Sequence, residues 1–323
     1  MLVDGWSRTV RYLRLSVTPD CPMRCLYCRP LSVAPRAAAD PLRPEEIEAL
    51  VRHLVERHGL RKVRVTGGEP LARADILDIV ARLGRIEGLA DLAMTTNGLR
   101  LANMAANLAA AGLRRVNVSL DSLDPTRFRR ITGCDGLDRV VAGIDAARHA
   151  GLGPIRLNAV VLAGANDDEL YALVDFAQRH DAEMRFIELM PMGPMAGQWA
   201  ERFVGQEEMK RRLAEQTFDW RPVAEQGGAA RRWRLRLADG RQATVGLISA
   251  MSCPFCDSCD RLRIASDGAV YGCLMGLPGG NLMPALRPAF DGAGVDEVLH
   301  GVLRGKQREH GQSGVATMVQ VGG

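Results

Sequence analysis

Residues 11–28 read RYLRLSVTPDCPMRCLYC, an extended segment from Arg11 to Val17 that runs directly into Cys21, Cys25 and Cys28. Polar and apolar residues alternate before the loop, as in a strand. A cysteine loop at the C-terminal end of a strand stands where barrels of parallel strands carry their chemistry. Three thiols within eight residues, with no histidine or fourth cysteine beside them, make an unfinished metal site. Iron-sulfur cubanes are held by cysteine thiolates, and three protein ligands leave the fourth iron to an exogenous one. A structural zinc, which takes four protein ligands, and a disulfide with one thiol to spare are the alternatives.

The alternation recurs outward from this loop. PEEIEALVRHLVERHGL places Ile47, Leu50, Val51, Leu54 and Val55 on one helical face and ends at Gly59. KVRVT (Lys62 to Thr66) then reads as a strand running into Gly67-Gly68-Glu69-Pro70, with a helix from near Ala74. ADLAMTT, RRVNVSLDS, PIRLNAVVL and AEMRFIELM repeat the pattern, giving six strands, each followed by helix or loop. Such units are parallel and right-handed, and six fall short of the eight that close a barrel. The expected fold class is therefore α/β, a partial (incomplete) TIM-type parallel barrel. After about Glu225 the chain changes to hairpin-like alternation, RRWRLRLADGRQATVGLI, with Asp239-Gly240 at the turn. The boundary is expected there: residues 1–225 for the barrel, 226–323 for a small C-terminal domain.

Composition narrows the function. The 323 residues are 47% apolar, enough for one large core, and contain no run of about eighteen uncharged apolar residues. The N-terminal residues lack a signal-peptide pattern, so a cytoplasmic protein without a membrane partner is expected. Eight cysteines clustered at ligand spacings favour metal over disulfides in a reduced compartment, with Cys134 apart as ordinary packing. Net charge is +4, and the positive residues are almost all arginine, the only lysines being Lys62, Lys210 and Lys306. With 5% aromatics and no dense basic block, a nucleic-acid platform is not expected.

A second constellation is Cys256-Asp257-Ser258-Cys259-Asp260-Arg261-Leu262-Arg263, with Cys273 fourteen positions after Cys259. Again three thiols are spaced for a cluster, and Arg261 and Arg263 share one face if the segment is extended. A cluster beside two fixed cations points to a bound polyanion. Gly67 and Gly68 let a ligand approach the backbone, or simply make a tight turn.

The Cys-x3-Cys-x2-Cys spacing, with Tyr27 before the last cysteine, resembles the radical S-adenosylmethionine enzymes. In that family the open iron chelates S-adenosylmethionine, and one electron cleaves its sulfonium to give a 5′-deoxyadenosyl radical. The resemblance implies that Tyr27 and Met190 lie near the adenine, Gly68 near the amino group and Ser119 near the carboxylate of S-adenosylmethionine. LRLSVTPDC, KVRVTGGEPL, TTNG, NVSLDS, FIELMPMG, FCDSCDRLRI and the terminal Gly322-Gly323, in that order, resemble the GTP 3′,8-cyclase family of molybdenum-cofactor biosynthesis. That implies two [4Fe-4S] clusters, on Cys21, Cys25 and Cys28 and on Cys256, Cys259 and Cys273, with S-adenosylmethionine as the further cofactor. It also implies that Arg14, Arg64, Thr95, Arg156, Arg261 and Arg263 hold GTP. Arg261, Arg263, Gly322 and Gly323 would assist conversion to (8S)-3′,8-cyclo-7,8-dihydroguanosine 5′-triphosphate. The implied partners are an electron donor of flavodoxin type and the next enzyme of molybdopterin biosynthesis; a homodimer is compatible with the sequence.

Three positions depart from that family's pattern. Arg156 stands where a lysine is usual, Ala163 replaces another lysine, and Cys253 adds a thiol three positions before Cys256. Cys253 is the best argument for a rival, a radical S-adenosylmethionine peptide-modifying enzyme whose auxiliary cluster is fully ligated and transfers electrons. A non-catalytic cluster or zinc protein is the rival from another class. We read Cys253 as a bystander.

Overall fold

The computed structural model describes residues 1–29, 40–224 and 228–311. At its centre six parallel strands are hydrogen-bonded in chain order: β1 (Tyr12–Ser16), β2 (Lys62–Thr66), β3 (Asp91–Thr96), β4 (Arg115–Ser119), β5 (Ile155–Val161) and β6 (Ala182–Glu188). These are the six strands that the alternation predicts. Helices α1 (Pro44–His58), α2 (Ile76–Gly84), α3 (Leu101–Ala110), α4 (Pro125–Thr132), α5 (Leu137–His149) and α6 (Leu170–Arg179) lie between them. Pro44 opens α1 with its φ already set, and Gly59 closes it in the left-handed region at φ 70°. The predicted face of α1, from Ile47 to Val55, is buried. The helix expected near Ala74 begins two residues later, at Ile76, after a single 3-10 turn over Pro70–Ala72.

Beyond β6 the chain extends this sheet at both edges. After α7 (Trp199–Arg202) and α8 (Gln206–Ala214), β7 (Thr217–Pro222), β8 (Arg231–Leu237) and β9 (Gln242–Ile248) form an antiparallel set, and β9 joins β6 in parallel. Gly240 sits at φ 88° in the expected hairpin turn between β8 and β9. The chain then crosses to the opposite edge, where β10 (Arg261–Ile264) pairs in parallel with β1 and carries β11 (Ala269–Tyr271) and β12 (Gly280–Asn281). Helices α9 (Met283–Leu286) and α10 (Gly292–Arg304) come last. The strand order is linear from β12 to β7, so among the described residues the barrel does not close. The boundary expected between residues 225 and 226 lies outside the described residues, as do Gly322 and Gly323. No helix among the described residues is long and apolar enough to cross a membrane.

Period-two alternation divides the central strands into two faces. Leu13, Leu15, Val63, Val65, Met94, Val116 and Val118 are fully buried in a core shared with the helices. Their neighbours in sequence face the other way and create the site.

Candidate active site

The inward positions are polar, and they surround a cavity of about 660 Å³. Strand register stacks cations there: Arg263, Arg14 and Arg64 are Cα partners across β10, β1 and β2. Thr95, Asn117 and Arg156 form a second row across β3, β4 and β5. All six line the cavity, together with Arg261. Five of the six residues expected from sequence to hold GTP thus fall into two rows by strand pairing, and Arg261 joins them at the cavity wall.

The electrostatics of this wall call for an anion. Burial pushes the Arg64 pKa down to about 9 and that of Arg156 to about 10, and burial also lowers Arg14 and Arg263. Guanidinium does not give up its proton in proteins, so burial at this wall favours a ligand that brings negative charge. Arg64 Nε, Arg156 Nε, Thr95 Oγ1, Asn117 Oδ1 and Asn158 Oδ1 are buried without hydrogen-bond partners. Buried polar atoms of this kind are costly unless a ligand completes them. A triphosphate with a polar base matches that set of donors and acceptors.

The first cysteine loop is built on short turns. Cys28 N–H donates to the Cys25 carbonyl at 3.0 Å, while Arg24 N–H and Leu26 N–H donate to the Thr132 and Ile131 carbonyls at 2.8 and 2.9 Å. The two glycines of GGEP pack beneath the approach to this loop: a Cβ at Gly67 or Gly68 would collide with the backbone of Thr18 or Asp20. Close packing of backbone on backbone therefore requires both glycines, and Gly68 also lines the cavity. Glu69 ties strand ends together, accepting from Leu71 N–H at 3.0 Å, Thr96 Oγ1 at 2.6 Å and Asn97 N–H at 2.6 Å. Asn97 in turn reaches Cys21 Sγ at 3.8 Å. Tyr27 donates its hydroxyl to Asp121 Oδ2 at 2.6 Å, and Asp121 Oδ1 is held by Val160 N–H at 2.9 Å.

Burial pushes Cys21 up to about 11 and Cys28 up to about 12, with repulsion from Glu69 adding to the first and from Cys21 to the second. A bound metal reverses that preference, because coordination deprotonates a thiol outright. Among the described residues neither triad brings three sulfurs within 4.8 Å of one another. Sulfurs about 2.3 Å from one zinc would stand roughly 3.8 Å apart. Three thiols without a fourth protein ligand suit a multi-iron cluster better than a structural zinc.

The second triad faces the same space. Cys256, Cys259 and Cys273 all line the cavity that Cys21, Cys25 and Cys28 line. Burial would raise the Cys259 pKa, but Lys306 and Arg261 outweigh it and hold the thiol below its ordinary value. Lys306 Nζ lies 3.7 Å from Cys259 Sγ and donates to the Arg261 carbonyl at 3.0 Å. The Arg261 guanidinium rests over the Phe255 ring, 4.6 Å from its centroid. Cys253 is absent from the cavity lining, and its carbonyl accepts from Arg231 Nη1 at 2.7 Å. Ala163 does not line the cavity either, its backbone being bonded to Arg202.

Comparison with known proteins agrees with this geometry. The Radical SAM superfamily matches residues 15–177, and Molybdenum Cofactor Synthesis C matches residues 182–312. A protein of Rhodopirellula baltica named GTP 3′,8-cyclase is 40% identical over 96% of this chain and 87% of its own length. The chain belongs to the GTP 3′,8-cyclase family, within the radical SAM superfamily. Other members of that family include a GTP 3′,8-cyclase of Ectopseudomonas mendocina, 44% identical over 84% of this chain and 82% of its own, and GTP 3′,8-cyclase 1 of Pseudomonas aeruginosa, 42% identical over 95% and 93%. Among solved structures, Streptococcus suis SuiB bound to precursor peptide SuiA covers 96% of this chain and 76% of its own, with a TM-score of 0.61 at 14% identity, which speaks to fold alone.

Tyr27, Gly68, Ser119 and Met190 line the cavity with the first triad. Sequence reading overlooked Arg115, Arg185 and Arg232, which line it too. Arg115 pairs with Asp91 at 2.5 Å, while Arg185 and Arg232 pair with Glu183 at 2.6 and 2.8 Å. The signal was present: Arg185 follows Glu183 by two residues and is the register partner of Asn158, so period two places it on the inner face.

Proposed function

We propose that this protein is a GTP 3′,8-cyclase, joining ribose C3′ of GTP to guanine C8 to form (8S)-3′,8-cyclo-7,8-dihydroguanosine 5′-triphosphate in the first step of molybdenum-cofactor biosynthesis. The observation that carries it is that two three-cysteine sets and a wall of arginines line one cavity. Cys21, Cys25 and Cys28 would hold one [4Fe-4S] cluster and Cys256, Cys259 and Cys273 the other. When bound, the first cluster with S-adenosylmethionine supplies one-electron cleavage of a sulfonium and hence hydrogen abstraction from an unactivated carbon.

The chain's own residues supply position and charge. Arg14, Arg64, Arg156, Arg261 and Arg263, with Thr95, hold the triphosphate end of GTP, fixing the ribose against the first triad. Fixing two reacting carbons in contact is worth several orders of magnitude in rate. The polar base turns toward the second triad, whose three-cysteine set leaves room for a nucleobase donor atom. Tyr27, Gly68, Ser119 and Met190 hold S-adenosylmethionine, Asp121 fixing the ring of Tyr27. Arg261 and Arg263 assist the closing reduction and protonation, and Gly322 and Gly323 help orient the ribose. The division into residues 1–225 and 226–323, a flavodoxin-type electron donor, a following enzyme that takes the product, and a homodimer complete the proposal.

The test is anaerobic reconstitution with iron and sulfide, then incubation with dithionite, S-adenosylmethionine and GTP. Product and 5′-deoxyadenosine appearing in step with loss of GTP is the expected result. Cleavage of S-adenosylmethionine that ignores GTP would overturn the assignment.

A further inference from the structure

Away from the cavity, α10 meets α1 through a group of polar side chains. His53 and His58 of α1 both direct Nε2 at one oxygen of Asp296 on α10, at 2.7 and 2.6 Å. The three ligand atoms lie within 4.8 Å of one another, and no other histidine, cysteine or carboxylate set converges so closely among the described residues. We propose that His53, His58 and Asp296 form a zinc site that joins α1 to α10.

The donor chemistry supports that choice. Two imidazole nitrogens and one carboxylate oxygen suit zinc, which imposes no geometry of its own and accepts water in a fourth position. Ligand atoms about 2.0–2.2 Å from a tetrahedral zinc stand roughly 3.3 Å apart. The present contacts must therefore open by about 0.6 Å, which side-chain rotation can supply without moving either helix. At present a single carboxylate oxygen serves two imidazole donors. Zinc would take the place of the two Nε2 protons, each imidazole carrying its proton on Nδ1 instead.

The surroundings shield the three-ligand set on one side and leave the fourth, water-holding position that such a set keeps open. His58 is 4% exposed, and the His53 ring lies edge-on to Phe290 at 5.5 Å, so aromatic surface limits water on that side. His300, one turn after Asp296 on α10, presents its ring to His58 at a centroid distance of 6.1 Å. The site links a helix that follows the first cysteine loop to the helix that precedes Lys306, the partner of Cys259. Zinc there would brace the second triad against the barrel without touching the substrate cavity.

The holoenzyme, with both clusters reconstituted, is dialysed against Zn²⁺ and analysed for metal and by zinc K-edge absorption. One zinc per chain with nitrogen and oxygen neighbours only, unchanged iron content and a raised melting temperature are expected. His53→Gln and Asp296→Asn, both close in shape to the native residue, should lose that zinc and the thermal shift while keeping the same circular dichroism. Sulfur neighbours around the zinc, no retained zinc in the native protein, or full retention in both variants would overturn the proposal.

Discussion

Arg8 donates through Nη1 to the carbonyl of Cys256 at 2.7 Å, joining the start of the chain to the second cysteine set. The same guanidinium donates to Asp4 Oδ2, Gln307 O and Arg308 O, each at 2.7 Å. One buried fork thus fixes three distant segments, a geometry that lysine cannot reproduce.

Arg8→Ala should accordingly destabilise the chain by about 1–3 kcal/mol, the cost of losing buried charge-assisted hydrogen bonds while Asp4 keeps Lys306 at 3.8 Å. The second cluster should be lost before the first, which iron analysis and electron paramagnetic resonance would register as a fall from two clusters toward one. Burial would raise the Asp4 pKa, but hydrogen bonds from Arg8 and Trp6 outweigh it and leave the carboxyl below its ordinary value. A depressed folded pKa stabilises the protein above the ordinary carboxylate range, and the stabilisation disappears as pH falls through the folded value. Asp4→Asn should then show a shallower loss of stability in acid than the native protein, measured by urea unfolding from pH 5 to pH 3, about the range where carboxylates titrate.

Cys21→Ala, Cys25→Ala and Cys28→Ala should each abolish 5′-deoxyadenosine formation while leaving the fold intact, since each removes one sulfur from a side chain only partly buried and leaves Met23, the loop's contribution to the core, in place. The check is chromatography of the reaction beside a far-ultraviolet spectrum. A variant that still cleaved S-adenosylmethionine would show that the first triad is not the cleavage site.

Cys253→Ser should keep both clusters and full cyclisation, because Cys253 takes no part in the cavity wall that Cys256, Cys259 and Cys273 line. Cys256→Ser, Cys259→Ser and Cys273→Ser should each lose the second cluster. Mössbauer spectra before and after adding GTP would decide it: loss of the second cluster in Cys253→Ser would mean a closed, four-cysteine site.

Arg261→Ala and Arg263→Ala should each weaken GTP binding by about 1.5–3 kcal/mol, the range for a hydrogen bond to a charged group, or roughly 10- to 150-fold in Kd. Arg185→Ala should do less, because the Arg185 charge is already answered by Glu183 at 2.6 Å. Equilibrium dialysis with labelled GTP orders the three, and a loss in Arg185→Ala equal to the other two would show that Glu183 does not divert that cation from the substrate.

By itself the sequence determined six βα units, the open barrel and the two three-cysteine sets, because period-two alternation and cysteine spacing are local properties of a chain; the arginines of the cationic wall were named only through the family resemblance of their motifs. The segment from Arg261 to Arg263 was legible as extended with both arginines on one face. What it paired with was not. Only the tertiary structure brings β10 beside β1, where Arg263 becomes the register partner of Arg14, and pairs β9 with β6 at the opposite edge. The same long-range packing withdraws Cys253 from the wall, sets Lys306 against Cys259 and joins His53 and His58 to Asp296. Contacts across more than two hundred residues depend on how helices and sheet edges close over one another, and no short window of sequence records that.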